Sequence, residues 1–146
     1  IGMAENAIMY VRNCFKEDNN LDDIVLSHKR IISKEFNSPI NLIVDHRSRD
    51  ISEYLKYLFF TNDYDYIKIN QYLQKLNLNS YMYKLLYGRM LFPTFYFDKY
   101  DDIVNKNKSE KEILTILKKV EAYEDFLKNI YLIINQNTAI KKVDWL

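Results

Sequence analysis

The chain has 146 residues, about one domain, with 21 Lys and Arg against 20 Asp and Glu and a formal net charge of +1. Charges of both signs are interspersed, so there is no basic footprint for nucleic acid, and the expected partners are proteins or small molecules. With only 2 Gly and 2 Pro there is too little turn chemistry for an all-β sandwich or barrel, so a mainly α fold is expected, its core and rim supplied by 13 Tyr and 8 Phe.

In chain order, Met3, Ala7, Ile8, Val11 and Phe15 recur at helical spacing and predict a helix over residues 2–17. Cys14, the single cysteine, excludes an internal disulfide and reads as a small buried hydrophobe. Residues 16–20 form a polar break. Ile24-Val25-Leu26 is short and β-branched, and predicts a strand over 24–27, followed at once by His28-Lys29-Arg30. A second strand is predicted over 40–45, with Pro39 at its mouth. Two such strands make a small ribbon, not a full sheet.

From Arg49 onward the pattern is helical. Ile51, Tyr54, Leu55, Leu58 and Phe59 form one stripe, with Ser48 or Arg49 opening the helix. Asn62-Asp63 reads as the cap of a helix through Tyr66, Ile69, Tyr72, Leu73 and Leu76. Asn79-Ser80 caps the next, Tyr81 to Leu91, which Pro93 stops. A further helix is predicted from Tyr96 to Val104. Ser109-Glu110-Lys111-Glu112 reads as a capping box opening the longest helix, with Ile113, Leu117, Val120, Leu127, Ile130 and Ile134 as its apolar stripe. The tail from Asn135 is expected to be irregular and anchored by Trp145.

No apolar run approaches the roughly 20 residues of a membrane span. The first residues have neither a basic n-region nor an apolar h-region, so no signal peptide is expected there. The chain opens on Ile1 within a helical pattern, as the later part of a longer protein would.

Most familiar chemistries are missing. His28 and His46 are the only histidines, without zinc-ligand spacing. No Gly-x-Ser-x-Gly exists, and Gly2 and Gly88 cannot build a phosphate-cradling loop. Asp45, at the exit of the second strand, is the candidate metal ligand, because a hard cation such as Mg²⁺ wants carboxylate oxygen. The structural reading has Asp45 capping a turn and Arg47 or Arg49 pairing with Asp50 to fix the strand–helix junction. His28 is expected to hold its loop through backbone carbonyls. Arg89, in an otherwise apolar helix, invites a buried ion pair with Asp98 or Asp101. The aromatic run Leu91 to Phe97 reads as core packing and a helix stop, not a ligand box.

Four segments carry a resemblance: Ile1 to Ile8, Val44 to Leu55, Leu85 to Asp98, and the closing Val143-Asp144-Trp145-Leu146. They resemble the C-terminal lobe of the spore-coat-associated kinase-like proteins (the CotS/YutH group), related in fold to choline kinase and aminoglycoside phosphotransferases. The resemblance implies a kinase-like C-terminal lobe: a single domain over 1–146, a helical bundle with the small ribbon, whose preceding lobe would bind nucleotide. It also implies roles for particular residues. Active relatives begin the catalytic loop with His-Gly-Asp, whose Asp positions the substrate hydroxyl. Here Ser27-His28-Lys29-Arg30 stands in that place, so His28 matches and Arg30 replaces the acid. A guanidinium cannot accept a proton at neutral pH. No Asn follows at the usual spacing, Asn37 being nearest. Asp45 matches the family's magnesium-binding Asp, and Arg49-Asp50 matches its scaffold Arg-Asp.

The function expected on this ground is a catalytically inactive, pseudokinase lobe serving as a structural or protein-interaction module in spore coat assembly, made in the cytoplasm and delivered to the coat. No cofactor is expected, with ATP and Mg only if the full-length parent is active. Two other readings stay open: part of an ATP-dependent small-molecule phosphotransferase whose other lobe lies elsewhere, and an unrelated helical adaptor. An all-helical bundle, with residues 24–27 and 40–45 in helices, would remove the kinase-like ancestry.

Overall fold

In the computed structural model, which describes residues 2–17, 24–31, 38–106 and 109–146, one helix apolar on nearly every side organises the rest. This is α4 (Ser80–Leu91), with nine of its twelve residues buried. Such a helix is stable only when other elements cover it all round. Its N-cap is Asn79, as expected: the side chain accepts from the Met82 backbone N–H at 2.8 Å.

Three helices pack on α4: α1 (Gly2–Glu17), α2 (Ser48–Thr61) and α7 (Val120–Asn137). Gly88 explains how closely α1 approaches. A Cβ there would run into the Val11 side chain and come within 3.1 Å of the Tyr10 ring. The fully buried centre joins Leu55 of α2, Leu86, Met90 and Leu91 of α4, and Phe126, Leu127, Ile130 and Ile134 of α7. α3 (Tyr66–Lys75) adds Leu73 and also packs on α7. Trp145 and Leu146 pack half-buried on this core, and Cys14 is buried.

The expected ribbon is present. β1 (Ile24–His28) pairs antiparallel with β2 (Leu42–His46), with Leu26 opposite Val44 and Val25 opposite Asp45. Pro39–Asn41 form a 3-10 turn, so β2 starts later than the hydrophobic run suggested. Proline preset the turn there instead of extending the strand. The ribbon feeds straight into α2.

Five expectations need correction. Asn62 is no N-cap; it lies in the left-handed region at φ 59 and closes α2. Asp65 is the cap that starts α3, accepting from the Ile67 and Lys68 N–H groups. α5 runs Thr94–Lys106, longer than predicted at both ends. The predicted longest helix is broken: α6 (Lys111–Leu117) ends, a turn at Lys118 and Lys119 follows, and α7 begins. The box at Ser109 is only half formed. The Ser109 hydroxyl accepts from Lys111 N–H at 3.3 Å, while Glu112 is drawn 2.8 Å from Lys99 of α5. The tail is irregular, though only beyond Asn137. No described helix is long and apolar enough to cross a membrane.

Candidate functional site

The end of β1, the end of β2 and the start of α2 converge, and their polar atoms lock the junction. The Asp50 carboxylate accepts from the His28 backbone N–H at 2.7 Å, and its other oxygen lies 3.2 Å from His28 Nδ1. Arg49 Nε donates to the His28 carbonyl at 2.9 Å and Nη2 to that of Lys29 at 3.1 Å. So Asp50 pairs with His28, not with Arg47 or Arg49 as the sequence suggested. A helix directs neighbours 49 and 50 to different sides, so Asp50 takes the N–H and ring of His28 while Arg49 takes the carbonyls of His28 and Lys29. On β2, His46 is buried and its Nδ1 accepts from the Ser48 N–H at 3.1 Å, capping α2 with a ring nitrogen. That bond leaves the neutral ring's proton on Nε2.

Asn41 fastens the segment after β1. Its side chain accepts from Arg30 N–H at 3.2 Å and donates to the Arg30 carbonyl at 2.6 Å, and its own carbonyl takes Lys29 N–H at 2.7 Å. Arg30 is thereby held with its guanidinium on Asp98 of α5, at 2.5 Å from Nε and 2.7 Å from Nη2. Glu53 lies 3.9 Å away. The Asp98 hydrogen bond raises the Arg30 guanidinium above its ordinary pKa, against the opposing effect of burial.

Asp45 sits between two guanidiniums. Oδ2 accepts from Arg49 Nη1 at 2.7 Å, and Oδ1 takes Arg89 Nη2. Arg89 thus does form the expected ion pair, but its partner is Asp45, whereas Asp98 belongs to Arg30. Burial alone would raise the Asp45 carboxyl. The Arg49 hydrogen bond, the Arg89 charge and the His46 backbone N–H outweigh it and hold the carboxyl below the usual range. Burial lowers Arg89 despite the attraction of Asp45.

The sequence reading missed two members, Glu53 and Lys56, which are 4 % and 1 % exposed. Lys56 Nζ donates to the Phe92 carbonyl at 3.1 Å and to the Thr94 hydroxyl at 3.0 Å, and lies 3.7 Å from Glu53. Burial pushes its pKa down to about 8. A signal existed: Arg49, Ser52, Glu53 and Lys56 follow an i, i+3, i+4, i+7 rule, a polar stripe on a helix whose apolar stripe lies beside it. Arg30, Asp45, Arg49, Glu53, Lys56 and Arg89 together line a cleft of about 530 Å³, whose apolar wall is α1. Four cations there face the carboxylates Asp45, Glu53 and Asp98. Asn37 lies outside the described residues, and no cluster of three metal-ligating side chains occurs among those described.

The comparisons with known proteins agree on one family. The family model described as "Spore coat putative kinase YutH" matches residues 1–130. The Endospore coat-associated protein YutH of Bacillus subtilis (strain 168) is 28% identical over 167 aligned positions, covering 100% of this chain and 49% of that relative. The chain therefore spans about half the length of the curated relative it matches. No solved structure matches it. The family model spans most of the chain, the ribbon and the charged cleft included, and the chain accordingly belongs to the YutH family of spore coat proteins.

Proposed function

We propose that this chain is a catalytically inert, kinase-like lobe that serves the spore coat through protein contacts. The observation that carries this reading is the charge pairing on the cleft floor. Phosphoryl transfer needs a metal to neutralise developing charge and a carboxylate to receive the hydroxyl proton. Arg30 stands where the resemblance puts that carboxylate, and its guanidinium grips Asp98. Both oxygens of Asp45 already face guanidiniums. This donor set does not fit Mg²⁺: binding would have to displace two charge-assisted hydrogen bonds and place a dication beside Arg49 and Arg89. The antiparallel ribbon beside a helical bundle supports kinase-like ancestry over an unrelated adaptor. The name of the Bacillus relative supports association with the coat.

The test is phosphoryl transfer from labelled ATP by the full-length protein, with Mg²⁺ and a panel of hydroxyl acceptors. The expected result is no transfer that depends on Asp45. Transfer abolished by Asp45→Ala would establish the phosphotransferase reading instead.

A further inference from the structure

Lys56 borders a second cavity, of about 310 Å³, which neither Arg30 nor Asp45 lines. That volume falls within the roughly 300–1,000 Å³ of small-molecule sites. Its walls are aromatic. Phe60 lies with its ring centre 3.9 Å from that of Phe95 and 5.9 Å from that of Tyr123. The opposite wall is unusual. α6 carries Ile113, Ile116 and Leu117, yet buries no residue at all. Leu117 is 49 % exposed, and Ile116, Leu117 and Val120 face the cavity. An amphipathic helix normally covers its apolar side with protein; this one, packed on α5, leaves Ile113 and Ile116 only half-buried and Leu117 exposed.

The polar groups at the cavity are few. Lys56 and Thr94 are bonded to each other. Lys119, set by the turn that breaks the predicted long helix, lies 5.8 Å from the Phe60 ring centre. Its bond to the Phe60 carbonyl is long, 3.4 Å, and an ammonium has three donors. Lys56 is taken by Glu53, 3.7 Å away, which leaves Lys119 and Glu124 as the other charged groups of the lining.

We propose that this cavity binds a small aromatic carboxylate, its ring between the aromatic wall and the apolar side of α6 and its carboxylate on Lys119. The lining supplies aromatic side chains for the ring to pack on and, in Lys119, a cation beside the same side chains, which a hydrocarbon would not need. The proposal goes beyond the inert-cleft reading, and either can fail without the other.

The test is calorimetric titration of the full-length protein with 2-naphthoate, and with 2-naphthylmethanol as its neutral counterpart. Naphthoate is expected to bind about tenfold or more tightly than the alcohol, and Lys119→Met to remove that advantage. Leu117→Trp, which fills the mouth from an exposed position, should abolish binding of both, with thermal unfolding checking that each variant is folded. Failure of naphthoate to bind overturns the proposal. Equal affinity for both probes, or for the parent and Lys119→Met, overturns the carboxylate assignment and with it the proposal. Binding that survives Leu117→Trp places the probe elsewhere and also overturns it.

Discussion

Asp45 is the residue on which the cleft turns. Asp45→Asn keeps the shape but removes the charge from between Arg49 and Arg89. The expected cost is about 1–2 kcal/mol at neutral pH, because the hydrogen bonds are charge-assisted but the pair is partly open to water. The folded-state carboxyl lies below its unfolded value, so its stabilisation is complete above that value and is lost as pH falls through the folded one. Urea melts of parent and variant should therefore differ at pH 7 and converge in acid. Lys56 has the opposite sign. Its ammonium releases a proton near pH 8 in the folded state and near 10.5 unfolded, so the penalty for burying charge is relieved as pH rises through that window. Stability should climb between about pH 8 and 10, and Lys56→Met should flatten the climb. Above that, the buried Tyr87 and Tyr123, held protonated by burial, reverse the trend. At this scale the sequence showed Arg30, Asp45 and Arg89 as the polar residues to watch, but not whom they meet. Arg89 finds Asp45 44 positions away and Arg30 finds Asp98 68 away. Such pairs depend on how α4 and α5 lie against the ribbon, and local spacing carries no information about that.

The elements were legible wherever period and cap agreed. α1, α2 and α4 stand where their apolar stripes placed them. Boundaries failed where several capping residues competed, as in Asn62-Asp63-Tyr64-Asp65. Asp65→Ala should cost about 1 kcal/mol, the ordinary worth of a side-chain cap, and Asp63→Ala almost nothing. Thermal melts of the two variants would separate them. The break at Lys118–Lys119 was invisible because the stripe continues through it in phase; what differs is the surroundings, core for α7 and cavity for α6. From sequence, Gly88 shows only that no phosphate-cradling loop can be built; the packing of α1 reveals it as a contact point. Gly88→Ala gains about 1 kcal/mol of helix propensity but overpacks against Val11, a stiff β-branched neighbour, at about 1–3 kcal/mol. A net loss in chemical denaturation is expected, recovered by the compensating Val11→Ala.

For the molecule as a whole, composition alone was enough to expect a helical fold, since so few turn residues leave little else to build. The ribbon was legible as two β-branched runs, which pair antiparallel with Asp45 opposite Val25. What composition could not show is that the ribbon, α2, α4 and α5 bring near-balanced charge into one cleft. This charge is satisfied from within: Arg30 by Asp98, Asp45 by Arg49 and Arg89. The most direct measurement is a titration of the full-length protein with Mn²⁺ and ATP, following the backbone NMR signals of Asp45, His46 and Arg49. Paramagnetic Mn²⁺ stands in for Mg²⁺ and erases the signals of any residue beside it. An inert cleft predicts that these signals keep their intensity as metal and nucleotide are added together. Their selective loss, reversed by EDTA, would put a cation on Asp45 and contradict the account.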